Sequence, residues 1–275
     1  MKNSYLNRVV IASPSGNQTA VVFDDISGMD LAKLNTQISN AWQKMRPNSQ
    51  AIEQCCYLTK PINSQYLTKV VLFGGEFSGN TALVAVKLLF SQAAPKGLIE
   101  VSGADKPLKY LVKNNFVSVG MPIPKNNCAS KKSKNIVIVQ LEGITHYVIL
   151  QDENAQNIKP NEYLQKIRQL NYSKNELEPP AIGVLKFNQY TNKATFLIWV
   201  KSINTLFDET ACGSGTCAIG VAMSYLKQAN TNINVVQPSG ETINVKTLFN
   251  KLTKTIKSSK ISGKVDILYD GKLIL

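Results

Sequence analysis

Glu209-Thr-Ala-Cys-Gly-Ser-Gly-Thr-Cys-Ala-Ile-Gly-Val-Ala-Met-Ser-Tyr-Leu226 and Glu76-Phe-Ser-Gly-Asn-Thr-Ala-Leu-Val-Ala-Val-Lys-Leu-Leu-Phe90 decide the fold. Each opens with a Glu and a short polar glycine turn, then runs on in residues that are apolar or small nearly all round. The pattern predicts helices over 79–90 and 213–226 with no polar face, and such a helix belongs inside a core. The two turns lie nearly half the chain apart, and each follows several strands and one amphipathic helix. Two similar halves result, alike in pattern and not in identity. The expected class is α+β: two pseudo-symmetric domains, each a curved, mostly antiparallel sheet or barrel wrapped around a central apolar helix. The expected division is residues 1–130, with the strand 262–275 packing back on them, and residues 131–261.

Outward from these helices, strand-like runs rich in Val, Ile, Leu and aromatics dominate, bounded by Gly, Pro, Asn and Ser. They cover 6–12, 19–23, 52–58, 67–73, 98–102 and 116–119, and after a basic connector over 125–135 they resume at 136–141, 145–150, 182–187, 194–200, 233–236 and 264–269. Leu31, Leu34, Ile38 and Trp42 recur at spacings of three and four, predicting an amphipathic helix over 29–45. Leu164, Ile167 and Leu170 do the same for 161–170. Those two helices are expected on outer surfaces.

The chain has 275 residues, 31 Lys plus Arg against 18 Asp plus Glu, and a net charge of +13. A core of ample size is therefore available without staples. The positive balance invites an anionic partner, yet only 18% of residues are charged, so scarce acids contribute as much as abundant bases. The basic runs KKSKN (131–135) and KLTKTIKSSKISGK (251–264) lack the interleaved aromatics of a nucleic-acid platform and read as solvated loops and strand edges. No nucleic-acid partner is expected. The longest apolar stretch, Thr81 to Phe90, is interrupted by Lys87 and too short to span a bilayer. The segment MKNSYLNRVVIASPSGN holds no apolar core of signal-peptide length. A cytoplasmic location is expected, with no membrane partner. Five cysteines, including the adjacent Cys55 and Cys56, argue against a disulfide framework.

Helix N-termini carry amides without helical partners and a partial positive charge, so a glycine turn there suits a carboxylate. Cys212, just before its helix, is expected to have its pKa lowered by the same dipole, as a cysteine base or nucleophile requires. Cys55, Cys56, Cys128 and Cys217 read as packing residues. GSGTCAIG has no P-loop lysine. The C-x4-C spacing of Cys212 and Cys217 has no matching second pair, so no metal is expected. His146, the single histidine, stands in a strand, where a lone histidine is ordinarily a packed or surface residue, although it is also the side chain best suited to proton exchange near pH 7.

ETACGSGT resembles the second cysteine motif of the diaminopimelate epimerase and proline racemase superfamily. EFSGNTA resembles the first, where family members carry Cys-Gly-Asn, and SPSGNQTAVVF resembles the N-terminal Gly-Asn segment. PSGN, GGEFSGN, HYVI, CGSGT with IGV, and VVQPSGE are similar, in the same order, to the histidine racemases of staphylopine-type metallophore synthesis. The resemblance spans essentially the whole chain. It implies the diaminopimelate epimerase-like fold and an amino-acid racemase without a cofactor, in which one cysteine thiolate takes the α-proton and a second thiol delivers one to the opposite face. Two faces need two acid/base groups, and a weakly acidic α-proton needs its developing carbanion held in a dry, donor-rich site. By this likeness Cys212 is one base and Ser78 stands in the place of the other. Asn17 matches the substrate-binding asparagine. The amides of Gly79, Asn80, Gly213 and Ser214 match the carboxylate cradle. His146 aligns with the family's histidine near the site, Glu53 resembles the acid that histidine racemases turn toward the imidazole, and Glu209 belongs to the second motif. The Glu-Arg pair that recognises the distal diaminopimelate centre is missing, since 202–206 reads SINTL, which disfavours that substrate.

Ser78 departs from the pattern. A serine hydroxyl is far less acidic than a thiol, and without an adjacent base it supplies no alkoxide. The chain as written is expected to be impaired as a racemase. Two explanations stay open: a Cys-to-Ser substitution made for structural work, or a natural one-cysteine member, as among hydroxyproline dehydratases of this superfamily. The expected function is a histidine racemase with a small-molecule amino-acid substrate, with a homodimer left open. The alternatives are a one-base dehydratase, a racemase of another amino acid such as 2,4-diaminobutyrate or hydroxyproline, and a binding protein that kept the fold and lost the chemistry.

Overall fold

The elements follow in the order β1 (Tyr5–Pro14), β2 (Thr19–Val22), α1 (Leu31–Met45), β3 (Gln54–Thr59), β4 (Lys69–Leu72), α2 (Gly79–Leu89), β5 (Lys96–Val101), β6 (Leu108–Lys113) and β7 (Phe116–Gly120). Then come β8 (Ala129–Ser133), β9 (Ile136–Leu141), β10 (Ile144–Gln151), α3 (Pro160–Asn171), β11 (Ala181–Asn188), β12 (Ala194–Val200), β13 (Thr205–Glu209), α4 (Gly213–Lys227), β14 (Thr231–Val236), β15 (Thr242–Asn250), β16 (Thr255–Gly263) and β17 (Val265–Ile274). The computed structural model describes residues 5–90, 94–114, 116–124, 128–151, 159–171, 181–201 and 205–275. Residues 125–127 of the basic connector and 202–204 of SINTL lie outside them. The chain divides into two units, Met1–Val119 with Ser262–Leu275, and Gly120–Ile261. The second unit begins before residue 131, because β8 pairs with β9 and so draws the connector into it.

In the first unit the strand order is β7-β6-β5-β4-β3-β2-β1-β17. Pairing is antiparallel except between β2 and β3 and between β4 and β5. Helix α2 touches β1 to β6 and β17, and Gly79 to Val86 are all buried. A sheet that meets one helix with so many of its strands is curved around it. On the outside lies α1, whose Leu34, Ile38 and Trp42 pack into a cluster with Leu6, Val9, Ile11, Ala20 and Val22. Each such side chain contributes roughly 1.5–3 kcal/mol by leaving water. The indole of Trp42 donates to Gln18 Oε1 at 2.7 Å. Asp30 caps the helix by accepting from the Lys33 amide at 3.0 Å, which is why it starts at Leu31 and not at Met29.

The second unit repeats the plan. Its strands run β13-β12-β11-β10-β9-β8, antiparallel except for β10 with β11, and β14 pairs with β15. Helix α4 touches β8 to β11, β14 and β15, and every residue from Gly213 to Ser224 is buried. Outside, Leu164 and Ile167 of α3 join Ile136, Ile149, Ile182, Val184, Leu197 and Trp199. This is the expected α+β class, with one apolar helix inside each curved sheet.

Five strands went unread in the sequence: β6, β8, β13, β15 and β16. The segment 251–264, expected as solvated loop and strand edge, contains the whole of β16. There Ser259 and Ile261 turn inward, and Ser259 Oγ lies 2.9 Å from Thr247 Oγ1 of β15. Partnered hydroxyls hide the apolar alternation.

Gly220 sits mid-helix in α4, where a Cβ would meet Val245 Cγ2 at 2.5 Å. Alanine is the better helix former by about 1 kcal/mol, but a stiff β-branched neighbour does not yield cheaply. Gly220→Ala is expected to lower stability by roughly 1–3 kcal/mol, read as a reduced urea midpoint at unchanged slope. A raised midpoint would refute the close packing.

Candidate active site

In the first unit the approach to α2 is clamped from one side. Ser102 Oγ donates to the Glu76 carbonyl at 2.8 Å and accepts from the Leu72 amide at 3.0 Å. Gly103, at φ +73°, lies so close to the Phe77 backbone that a Cβ would stand 2.5 Å from its nitrogen. Held this way, Ser78 is extended and buried, and it caps α2 by accepting from the Thr81 amide at 3.3 Å. Its hydroxyl proton goes to Gln54 Oε1 at 2.6 Å. Gly79 and Asn80 follow in the first turn, where helical amides lack helical partners.

Asn17 and Glu53 meet directly. Asn17 Nδ2 donates to Glu53 Oε2 at 2.8 Å, and Asn17 Oδ1 accepts from Thr19 Oγ1 at 2.9 Å. The parallel register of β2 and β3, Thr19 opposite Gln54, brings the asparagine turn beside the acid. Ser78, Gln54, Glu53 and Asn17 are therefore gathered at one end of β2 and β3. Burial raises the Glu76 carboxyl, and burial with the Glu76 charge pushes the Cys56 thiol up.

In the second unit Cys212 occupies the position equivalent to Ser78. It is extended and 2% exposed, and its Sγ accepts from the Gly215 amide at 3.2 Å and lies 3.5 Å from Ser214 Oγ. Gln237 braces this end: its Oε1 accepts from the Cys212 amide at 3.0 Å, while Nε2 donates to Thr216 Oγ1 and to the Val235 carbonyl. Buried Gly213 and Ser214 form the first turn. Gly215, in the same turn, serves packing, since a Cβ there would stand 2.5 Å from Phe196 Cδ1.

The expected low thiol pKa is not found. Burial first, then the charge of Glu209 and its hydrogen bond with the thiol, raise Cys212 well above the ordinary cysteine value, against smaller lowering by Ser214 and the Gly215 amide. One helix terminus does not offset removal from water beside a carboxylate. At rest the proton sits on sulfur, with Glu209 at the end of β13 as its hydrogen-bonded neighbour.

His146 is fully buried in β10, on the sheet face opposite Tyr147 and Ile149, which pack toward α3. Its ring lies over Gly183 of β11, its register partner, and a Cβ on residue 183 would overlap Nδ1. Neither ring nitrogen meets a hydrogen-bonding group among the described residues, and burial holds the pKa down at about 3. Sequence reasoning missed Gln54, Gln237 and Gly183. Gln54 follows Glu53 in IEQCC and Gln237 lies in VVQPSGE, but a glutamine declares its role only through its partner. All five cysteines are free and buried. Among the described residues no three His, Cys, Asp or Glu side chains gather to hold a metal, and no helix is long and apolar enough to cross a membrane.

A buried neutral imidazole gives a signed pH effect. The folded pKa is depressed, so the unfolded chain binds the proton first. The contribution is whole above about pH 6.5 and is lost as pH falls toward about 3. Between pH 7.5 and 5, unfolding free energy is expected to drop by about 2 kcal/mol more in the native protein than in His146→Leu, measured by urea titration. Equal drops would show that the imidazole is hydrated.

The family described as the histidine racemase CntK N-terminal domain matches residues 8–274. A histidine racemase of Fusobacterium nucleatum subsp. nucleatum (strain ATCC 25586) is 24% identical over 282 residues, covering 96% of this chain and 94% of that one. A histidine racemase of Staphylococcus aureus (strain Mu50) is 24% identical over 284 residues, covering 97% and 98%. Among solved structures, a hydroxyproline epimerase from Agrobacterium vitis with bound trans-4-hydroxy-L-proline has a TM-score of 0.63 at 11% identity, over 98% of this chain and 92% of that one, a likeness of fold. With a match running almost from end to end, the chain belongs to the histidine racemase CntK N-terminal domain family and is an isomerase of the amino-acid racemase class.

Proposed function

We propose that this chain acts on the α-carbon of histidine, without a cofactor, through proton transfer at Cys212 and at the position of Ser78. One observation carries the reading: each unit presents, at the start of its buried helix, an N-cap residue whose own side chain accepts from the amide three residues on, a thiol in one unit and a hydroxyl in the other. The histidine racemases among its relatives support the substrate. The amides of Gly79, Asn80, Gly213 and Ser214 are the proposed holders of the carboxylate, with Asn17, His146 and Glu209 as further substrate-binding residues. Glu53, tied to Asn17, is the proposed partner of the imidazole. A cytoplasmic location and a role in supplying a metallophore pathway belong to the same proposal.

With serine at position 78, inversion lacks one of its two bases. Ser78→Cys is therefore expected to raise the rate at which L-histidine loses optical purity by about 10²-fold or more. The measurement is chiral chromatography over a panel of L-amino acids, with circular dichroism confirming that both forms are folded. If the cysteine variant leaves every amino acid optically unchanged, the reading fails. If it inverts 2,4-diaminobutyrate in preference to histidine, the substrate assignment fails and the chemistry stands.

A further inference from the structure

A concavity of about 550 Å³ lies on the first unit's sheet, on the face that carries α1 and away from α2. Its volume is that of a small-molecule site. Strand register builds it. Tyr57 of β3 stands opposite Val71 of β4, and Lys69 of β4 stands opposite Glu100 of β5. Residues two apart on a strand share a face, so Tyr57 and Val71 form an apolar floor, and beside it Lys69 and Glu100 present opposite charges one strand spacing apart, about 4.8 Å. All four are half-buried. The two charges nevertheless do not pair. Glu100 Oε2 accepts from the Ile62 amide at 3.0 Å, and among the described residues Lys69 has no acid within ion-pair distance. A half-buried ammonium without an anion is costly to desolvate, and here a carboxylate fixed by a backbone amide stands next to it.

We propose that this concavity binds a small zwitterion of the α-amino-acid class, its carboxylate on Lys69, its ammonium on Glu100 and its side chain on Tyr57 and Val71, and that binding is felt at the start of α2. A carboxylate and an ammonium carried on one carbon match two opposite charges held one strand apart. A molecule with a single charge leaves one of the two unmet. The apolar floor favours an aromatic or long aliphatic side chain over a polar one. The link to α2 runs through one wall of the concavity, made by Ser102 and Gly103. Ser102 Oγ donates to the Glu76 carbonyl, and Gly103 packs on the Phe77 backbone. A ligand in the concavity therefore touches the two residues that clamp the chain just before Ser78. The site lies within the first unit and is independent of the proposed reaction.

The test is amide NMR of the full chain, following Phe77, Gly79, Gly103 and Gly213 during titration with L-phenylalanine, 3-phenylpropionate or 2-phenylethylamine. L-Phenylalanine is expected to shift Gly103 to saturation, with Phe77 and Gly79 following at the same midpoint. Each single-charge analogue is expected to bind about 10-fold or more weakly. Lys69→Met and Glu100→Gln, shown by circular dichroism to be folded, are each expected to raise the L-phenylalanine midpoint by about 10-fold or more. Gly103 unmoved overturns the proposal, whether or not Gly213 shifts, because any binding then lies at the candidate active site alone. So does 3-phenylpropionate or 2-phenylethylamine binding as tightly as L-phenylalanine, or a midpoint that neither variant changes. Gly103 shifting while Phe77 and Gly79 stay still overturns the link to α2.

Discussion

A helix with no polar face has to be buried whole, and its N-terminus goes in with it. The first amides of α2 and α4 then stand where water is scarce, and an unsatisfied buried amide is expensive. In each unit the residue before the helix supplies one acceptor from its own side chain: Ser78 Oγ for the Thr81 amide and Cys212 Sγ for the Gly215 amide. Sulfur is a weak acceptor, so a cysteine at an N-cap is a poor choice on stability alone. Its presence at a position that favours Ser, Thr, Asp or Asn is consistent with the proposed chemistry of a thiol there. The curved sheets, the clamps at Ser102 and Gln237 and the packing glycines all serve to hold these two helix starts in place.

Burial also sets the direction of the electrostatics. A helix N-terminus favours a thiolate, yet Cys212 is held protonated by desolvation and by the neighbouring carboxylate. The proton therefore stays on sulfur, and no free thiolate stands at the helix start. His146 follows the same logic in reverse, kept neutral by burial, with no hydrogen-bonding group at either ring nitrogen among the described residues. In this dry interior the neutral form of a titratable side chain is the default, and a charge arises only where a partner is already in position.

Much of this was legible. The all-apolar character of 79–90 and 213–226 announces buried helices because no amphipathic alternative exists, and the glycine turns before them mark where the chain reverses into each core. The spacing of Leu34, Ile38 and Trp42 gives α1 a single apolar face, which lies on the sheet and leaves the other face to water. The strand β16 was illegible because Ser259 faces inward and is satisfied by Thr247, which breaks the apolar alternation, whereas β15 does display it in Ile243, Val245 and Phe249 and was overlooked. The thiol pKa was misread for a related reason: the dipole is written in the chain order, whereas the cost of burial and the approach of Glu209 depend on how β13 packs. Gln54 and Gln237 were overlooked because nothing local distinguishes a bracing glutamine from a solvated one.

The antiparallel pairing of β17 with β1 has a consequence for how the molecule comes into being. Residues 262–275 complete the first unit, whereas residues 120–261 are continuous in the chain. During synthesis the second unit has all its own residues in hand before the strand that flanks β1 is made. Domains usually fold in the order in which they emerge. Here the half that emerges first is the last to be finished, and until then β1 offers an open, apolar edge of the kind chaperones bind and aggregates recruit.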